Sequence, residues 1–244
     1  MRVALISDTH GNFSALQAVL ADLPAQGADQ VVFLGDASTI GPQPVETLDA
    51  LRELNCVSLI MGNHDAAVLD PARATELQVA PNLHTSITWC IDHLRPDHFD
   101  FIRSFQDTFT LALSDKISLL CYHGSPLSCT DQILSTTPEE NFEKFFAGRT
   151  STVWAGGHTH IQMFRRHNDK VMINAGSVGN AFYHSFEPGV VPRLLPWAEY
   201  AIVSAENEIV TVHLRRVPYD TRETLSRVRQ TGVPSMEWWL DQYK

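Results

Sequence analysis

The stretch Ser7-Asp8-Thr9-His10-Gly11 follows the apolar run Val3-Ala4-Leu5-Ile6 and precedes Phe13, Leu16, Val19, Leu20 and Leu23, which recur at helical spacing. The run reads as a buried first strand and the recurrence as an amphipathic helix. Asp8 and His10 therefore fall where a strand has stopped and a helix has not begun. In open α/β sheets ligands bind at the carboxyl ends of strands. A carboxylate and an imidazole two residues apart suit a transition-metal ion. Such a pair is weak evidence alone and needs partners elsewhere in the chain.

Further along, Val31 to Leu34 and Val57 to Ile60 read as two more buried strands, and Val45, Leu48 and Leu51 as a helix between them. Pro24 to Asp29 reads as a break after the first helix, and the loop from Ala37 to Pro44 is punctuated by Gly41, Pro42 and Pro44. Strand, helix, strand, helix, strand implies right-handed crossovers and parallel pairing. Leu83, Ile87, Cys90, Ile91 and Leu94 share a helical face, and Pro96 opens a second short helix through Ile102. Residues 66–106 carry no motif. They read as a packing layer over the sheet, or as a cap that shapes substrate access. Strands return as two hairpins, Phe109 to Cys121 and Met163 to Ile173, with a helix around Phe142, Phe145 and Phe146 and a strand from Thr152 to Ala155 between them. Two more strands span Ala198 to Leu214, and helices near Thr221 to Arg229 and Met236 to Leu240 follow. Neither a repeat nor a linker interrupts residues 1–244, which read as a single domain.

The 244 residues suffice for one large core. A net charge of −10 argues against broad nucleic-acid binding, which needs a basic face. No apolar run approaches the roughly 20 residues that span a bilayer. The first residues form a strand rather than a signal-type segment. A cytoplasmic protein without membrane association is expected. Cys56, Cys90, Cys121 and Cys129 show no Cys-x-x-Cys spacing and read as reduced, mostly buried thiols.

Five strand ends carry polar groups of one chemical type: Asp8/His10, Asp36, Asn63/His64, His123 and His158/His160. Each lies beside a glycine or in a tight turn. Core packing does not account for so many, because buried polar groups cost free energy unless satisfied. The other six of the eleven histidines (His84, His93, His98, His167, His184, His213) lack partners and read as structural or surface residues.

In that order, Asp8-Thr-His10, Gly35-Asp36, Gly62-Asn63-His64-Asp65, His123-Gly124 and Gly157-His158-Thr-His160 resemble the calcineurin-like metallophosphoesterase family, in particular its small single-domain bacterial and archaeal phosphodiesterases. The resemblance extends to Asn174-Ala-Gly-Ser-Val-Gly179. It implies an α/β fold, a four-layer α/β/β/α sandwich of two mixed sheets. It also implies a two-metal site at the strand ends. Asp8, His10, Asp36 and His160 would bind one ion, and Asp36, Asn63, His123 and His158 the other, with Asp36 bridging. Asn63 and His64 would also meet the phosphate. His64 would serve as general acid or steady the transition state, and Asp65 would orient it. Asn12 and the Gly176-Ser177 turn are weaker candidates for lining the site. The implied reaction is P–O hydrolysis by a metal-bound hydroxide. Mixed N/O ligation fits Mn, Fe, Zn, Ni or Co, with Mn favoured, better than Ca or Mg. Two divalent ions outweigh Asp8, Asp36 and a hydroxide, so the site would stay slightly positive in an acidic protein.

Departures from the family pattern are Ala175 where proline is frequent, Ile161-Gln162 after the last histidine, and the Ala37-Ser-Thr-Ile40-Gly-Pro loop without its usual aromatic. They bear on substrate shape. A small phosphate ester is the expected partner, with phosphodiesters favoured over monoesters. Alternatives are a nuclease, a nucleotide, dinucleoside polyphosphate or protein phosphatase of the same family, and a binding scaffold without turnover.

Overall fold

The first strand, β1 (Arg2–Ile6), is apolar on both faces because it is covered on both. Val3 and Leu5 point into the core between two sheets, while Ala4 and Ile6 point into the core under a helical layer. The computed structural model describes residues 1–185, 190 and 192–243; the remaining positions of the expected 1–244 unit lie outside the described residues.

Helix α1 (Phe13–Gln26) returns the chain antiparallel to β1 and delivers β2 (Gln30–Phe33) parallel to it. The helix does not stop at Pro24 as the sequence pattern indicates. Pro24 is absorbed into its last turn, and Gly27, left-handed at φ 60°, ends it with its N–H on the Pro24 carbonyl. Gly adopts that conformation without a Cβ penalty. Helix α2 (Pro44–Glu53) and the short β3 (Ser58–Leu59) complete the parallel run. The third motif then opens a helix: α3 spans Asn63–Leu69, and the Asp65 carboxylate accepts the Gly62 N–H at its start. Helices α4 (His84–His93) and α5 (Pro96–Arg103) bury Ile87, Cys90 and Ile102 against the same core as Leu16, Val19 and Leu48. Each fully buried aliphatic side chain there contributes about 1.5–3 kcal/mol.

The second sheet begins with β4 (Phe109–Ala112) and β5 (Ser118–Cys121), an antiparallel pair. After α6 (Glu139–Phe145) come β6 (Val153–Gly156), β7 (Met163–His167) and β8 (Lys170–Asn174). The order is β4-β5-β6-β8-β7, with β5, β6 and β8 parallel. The chain then returns to the first sheet through β9 (Trp197–Glu206) and β10 (Ile209–Pro218), giving the order β10-β9-β1-β2-β3. Helices α7 (Thr221–Thr231) and α8 (Met236–Gln242) finish the fold.

Three cores separate the layers. One lies between α1–α5 and the first sheet, one joins the two sheets through Leu5, Leu34, Leu119 and Ile173, and one packs Phe142 and Phe146 of the α6 region on Trp154 and Met172. This is the four-layer α/β/β/α arrangement of two mixed sheets. Among the described residues no helix is long and apolar enough to cross a membrane.

Candidate metal centre

All five motifs meet at the carboxyl ends of β1, β2, β3, β5 and β6. Two clusters result, Asp8–His10–His160 and Asp36–His123–His158, each with donor atoms within 4.8 Å of one another. They touch. Asp36 Oδ2 lies 3.7 Å from His10 Nε2 and 3.4 Å from His123 Nε2, and Asp8 Oδ1 lies 3.2 Å from His160 Nε2 and 4.0 Å from His123 Nε2.

The backbone is bent to achieve this. Asp8, His10, Asp36, His158 and His160 all have positive φ, between 45° and 68°. Non-glycine residues rarely adopt that region, and such strain concentrates at functional sites. Gly62 contributes differently: a Cβ there would run into the Asp36 carboxylate, so its absence lets the third turn close against the second.

Several of the donors are held by a partner behind them. His123 Nδ1 lies 2.7 Å from the Leu34 carbonyl and His160 Nδ1 2.8 Å from that of Asn180. Both Nδ1 atoms therefore donate to a carbonyl, which leaves the Nε2 atoms on the side of the centre. Asn63 donates Nδ2 to the Leu77 carbonyl at 3.0 Å, which turns its Oδ1 the same way. Asp36 Oδ1 accepts the His64 N–H at 2.9 Å, and Asp8 Oδ2 accepts that of His158 at 3.0 Å. Ser177 donates to the Asp8 carbonyl, so the Gly176-Ser177 turn supports Asp8 from behind.

What remains is a set of orphans. Asp8 Oδ1, Asn63 Oδ1 and His123 Nε2 are buried and have no hydrogen-bond partner. His10 Nε2 and His160 Nε2 lie only 3.0 Å apart. Unsatisfied buried polar atoms are costly and rare in folded proteins. Carboxylate, amide and imidazole donors converging in this way fit divalent transition-metal ions.

The charges of these groups are displaced by one another. Burial works against the charged His123 ring, but Asp36 and Asp8 outweigh it and push it up to about 10. Burial, reinforced by His123, presses His158 down to about 4, and burial, reinforced by His160 and His64, holds His10 well below its ordinary value. Asp8 stays ionised at about 2 despite its burial, because His160 and His123 stand beside it.

Three sequence expectations are corrected here. Asp65 does not orient His64. Its carboxylate is occupied by the backbone N–H groups of Asp36, Ala37 and Gly62, and so fixes the second motif on the third. The partner of His64 is Thr39, whose Oγ1 lies 2.8 Å from Nδ1. Asn12, expected near substrate, caps α1 by accepting the Ala15 N–H and donates to the Gly179 carbonyl, away from the cavity. Several of the histidines set aside do have partners: His84 Nε2 lies 3.1 Å from the Val79 carbonyl, His93 Nδ1 lies 2.7 Å from that of Trp89, and His98, buried on α5, lies 3.0 Å from Asp49. Asn180, which carried no sequence signal, lines the cavity with its Oδ1 unpartnered.

Above the centre opens a cavity of about 860 Å³. His10, Asp36, Asn63, His64, His158 and His160 form its floor, and residues 78–83 form part of its wall.

The sequence model of the calcineurin-like phosphoesterase superfamily domain matches residues 1–191. The chain belongs to that superfamily. This phosphoesterase is 25% identical over 250 residues to an uncharacterised protein of Methanocaldococcus jannaschii, covering 97% of this chain and 94% of that protein. It superposes on the crystal structure of a metallophosphoesterase from Sphaerobacter thermophilus with a TM-score of 0.75 and 26% identity, over 99% of this chain and 97% of that one. A stretch of 71 residues, 28% of this chain and 26% of the relative, is 39% identical to the symmetrical bis(5'-nucleosyl)-tetraphosphatase of Erwinia tasmaniensis. Membership makes the chain a metal-dependent phosphoric ester hydrolase.

Proposed function

We propose that this phosphoesterase works with two divalent transition-metal ions, Mn favoured, and hydrolyses small phosphate esters, diesters in preference to monoesters. The burial of Asp8 Oδ1, Asn63 Oδ1 and His123 Nε2 without a hydrogen-bond partner, at the strand ends, carries this reading. Asp8, His10 and His160 would hold one ion, and Asn63, His123 and His158 the other. Asp36, with one carboxylate oxygen near both His10 and His123, would serve both. When bound, the ions supply positive charge that activates water and polarises phosphoryl oxygens.

The chain's own residues supply the rest. Thr39 can donate to His64 Nδ1, the tautomer that leaves Nε2–H as a donor toward the cavity. His64 would then hydrogen-bond the phosphoryl or departing oxygen as charge builds there. In the overall reaction water's oxygen bonds to phosphorus, the ester P–O bond breaks, and the released alcohol carries away one of that water's protons. The cavity accommodates diesters, since its volume leaves room for two organic groups around one phosphate. Residues 66–106 would shape access to it. A second reading, hydrolysis of dinucleoside polyphosphates, is favoured by the partial identity to the tetraphosphatase.

The test is hydrolysis of bis(p-nitrophenyl) phosphate and p-nitrophenyl phosphate with Mn added and with chelator. Chelator-sensitive cleavage, faster for the diester, is expected. Metal-loaded protein that cleaves neither would contradict the proposal.

A further inference from the structure

The floor of the cavity is polar, but much of its wall is not. Ile40, Val79, Leu83, Leu134, Phe182 and Trp238 face it, and among the described lining residues there is no lysine or arginine. Nor does the sequence from 181 to 192 contain one. Beyond the metal centre, a chain of phosphates would meet no fixed cation, although charged phosphates are ordinarily held by charge-assisted hydrogen bonds.

The wall nearest the C-terminus is built deliberately. Gly232, left-handed at φ 64°, ends α7, and the chain turns through Pro234 into α8. There Trp239 is fully buried and donates Nε1 to the Ile40 carbonyl, which also accepts from Ser235 Oγ at 2.8 Å. Ile40 is held at φ 76°, a costly conformation for a β-branched residue. Two polar contacts from the C-terminal segment thus fix the loop that follows Asp36. They also hold the neighbouring Trp238 against the cavity. Residues 234–238 lie beyond the 1–191 stretch that the superfamily model matches.

We propose that the Ile40–Leu83–Trp238 wall is a subsite for an uncharged apolar or aromatic ester group, so that the substrate carries one phosphate and a hydrophobic alcohol rather than a polyphosphate chain. This rests on the phosphoesterase reading of the floor. Trp238 is the specificity-determining side chain. Its ring supplies a large rigid apolar surface at the mouth of a site whose other end demands a phosphate.

The experiment is calorimetric titration of Mn-loaded protein with methylphosphonate, phenylphosphonate and 2-carboxyethylphosphonate. These share one head group and differ only in the tail. Phenylphosphonate is expected to bind about tenfold tighter than methylphosphonate, from the apolar area it buries, and the carboxyethyl compound weakest. In W238A the phenyl preference should fall toward unity, and in W238F most of it should remain, which separates loss of the ring from loss of the fold. Equal binding of the phenyl and methyl compounds, a preference for the carboxyethyl tail, or no binding at all would overturn the subsite. Hydrolysis of bis(p-nitrophenyl) phosphate, followed in parallel, separates the two readings. A phenyl preference without turnover keeps the subsite and removes the enzyme, and turnover without a preference does the reverse.

Discussion

Thr39 Oγ1 lies 2.8 Å from Nδ1 of His64, and both side chains are buried. The loop after β2 therefore holds a ring that belongs to α3. T39V removes the hydroxyl while keeping the shape. Turnover should fall by about tenfold, the cost of a lost buried hydrogen bond, with metal content unchanged, and T39S should recover most of it. Steady-state kinetics with metal analysis checks this. A T39V enzyme with full kcat would show that His64 does not depend on Thr39.

His64 itself is not expected to hold metal. H64A should lower kcat by about 10²–10³-fold, in the range found for a removed transition-state donor. Bound metal should stay at the wild-type level. Loss of metal in H64A would instead place the ring among the ligands.

Gly62 is fixed by space. A Cβ at this position would strike the Asp36 carboxylate and backbone. G62A should destabilise the fold by about 1–3 kcal/mol, as overpacking does, and weaken metal binding at the same time. Urea unfolding with and without Mn measures both. A G62A protein of wild-type stability and metal content would show that the turn around Asp36 can relax.

Burial pushes the Cys90 thiol up to about 12, and Cys121 is raised as well by burial alone. Because the folded value exceeds the unfolded one, near 9, the folded state keeps the proton while the unfolded chain loses it. The stability of the fold should therefore decline as pH rises above about 9. Native protein at pH 8 should react slowly with iodoacetamide at these two cysteines, and rapidly once unfolded. Mass spectrometry after brief labelling reads the difference; rapid native labelling of Cys90 would contradict its burial against Ser38.

The motifs were legible because they stand at the ends of apolar runs. Val3-Ala4-Leu5-Ile6 does not alternate, and the structure covers both its faces, so the next residues had to emerge at a sheet edge. The hairpins at 109–121 and 163–173 followed from turn residues between apolar runs and appear as the β4–β5 and β7–β8 pairs. Four things were not legible. Pro24 looks like a terminator, but a last helical turn accepts proline's fixed φ, and the true stop is Gly27. Asp65 looks like a partner for its neighbour His64, but at the third position of α3 its carboxylate faces the backbone of Gly62, Asp36 and Ala37. Thr39 lies 25 residues from His64, and nothing local marks the contact. The positive φ values of Asp8, His10, Asp36, His158 and His160 leave no compositional trace either, since no glycine stands at those positions.

The most direct measurement is the metal content of wild-type protein and D36N after Mn loading and desalting. Asp36 stands between His10 and His123, so one substitution should disturb both ions. About two Mn per chain are expected in the wild type, as in other two-metal sites, and well under one in D36N, with ester hydrolysis lost in parallel. Two fully retained ions and normal activity in D36N would contradict the shared role of Asp36. A wild-type protein that takes up no metal under any loading condition would contradict the centre itself.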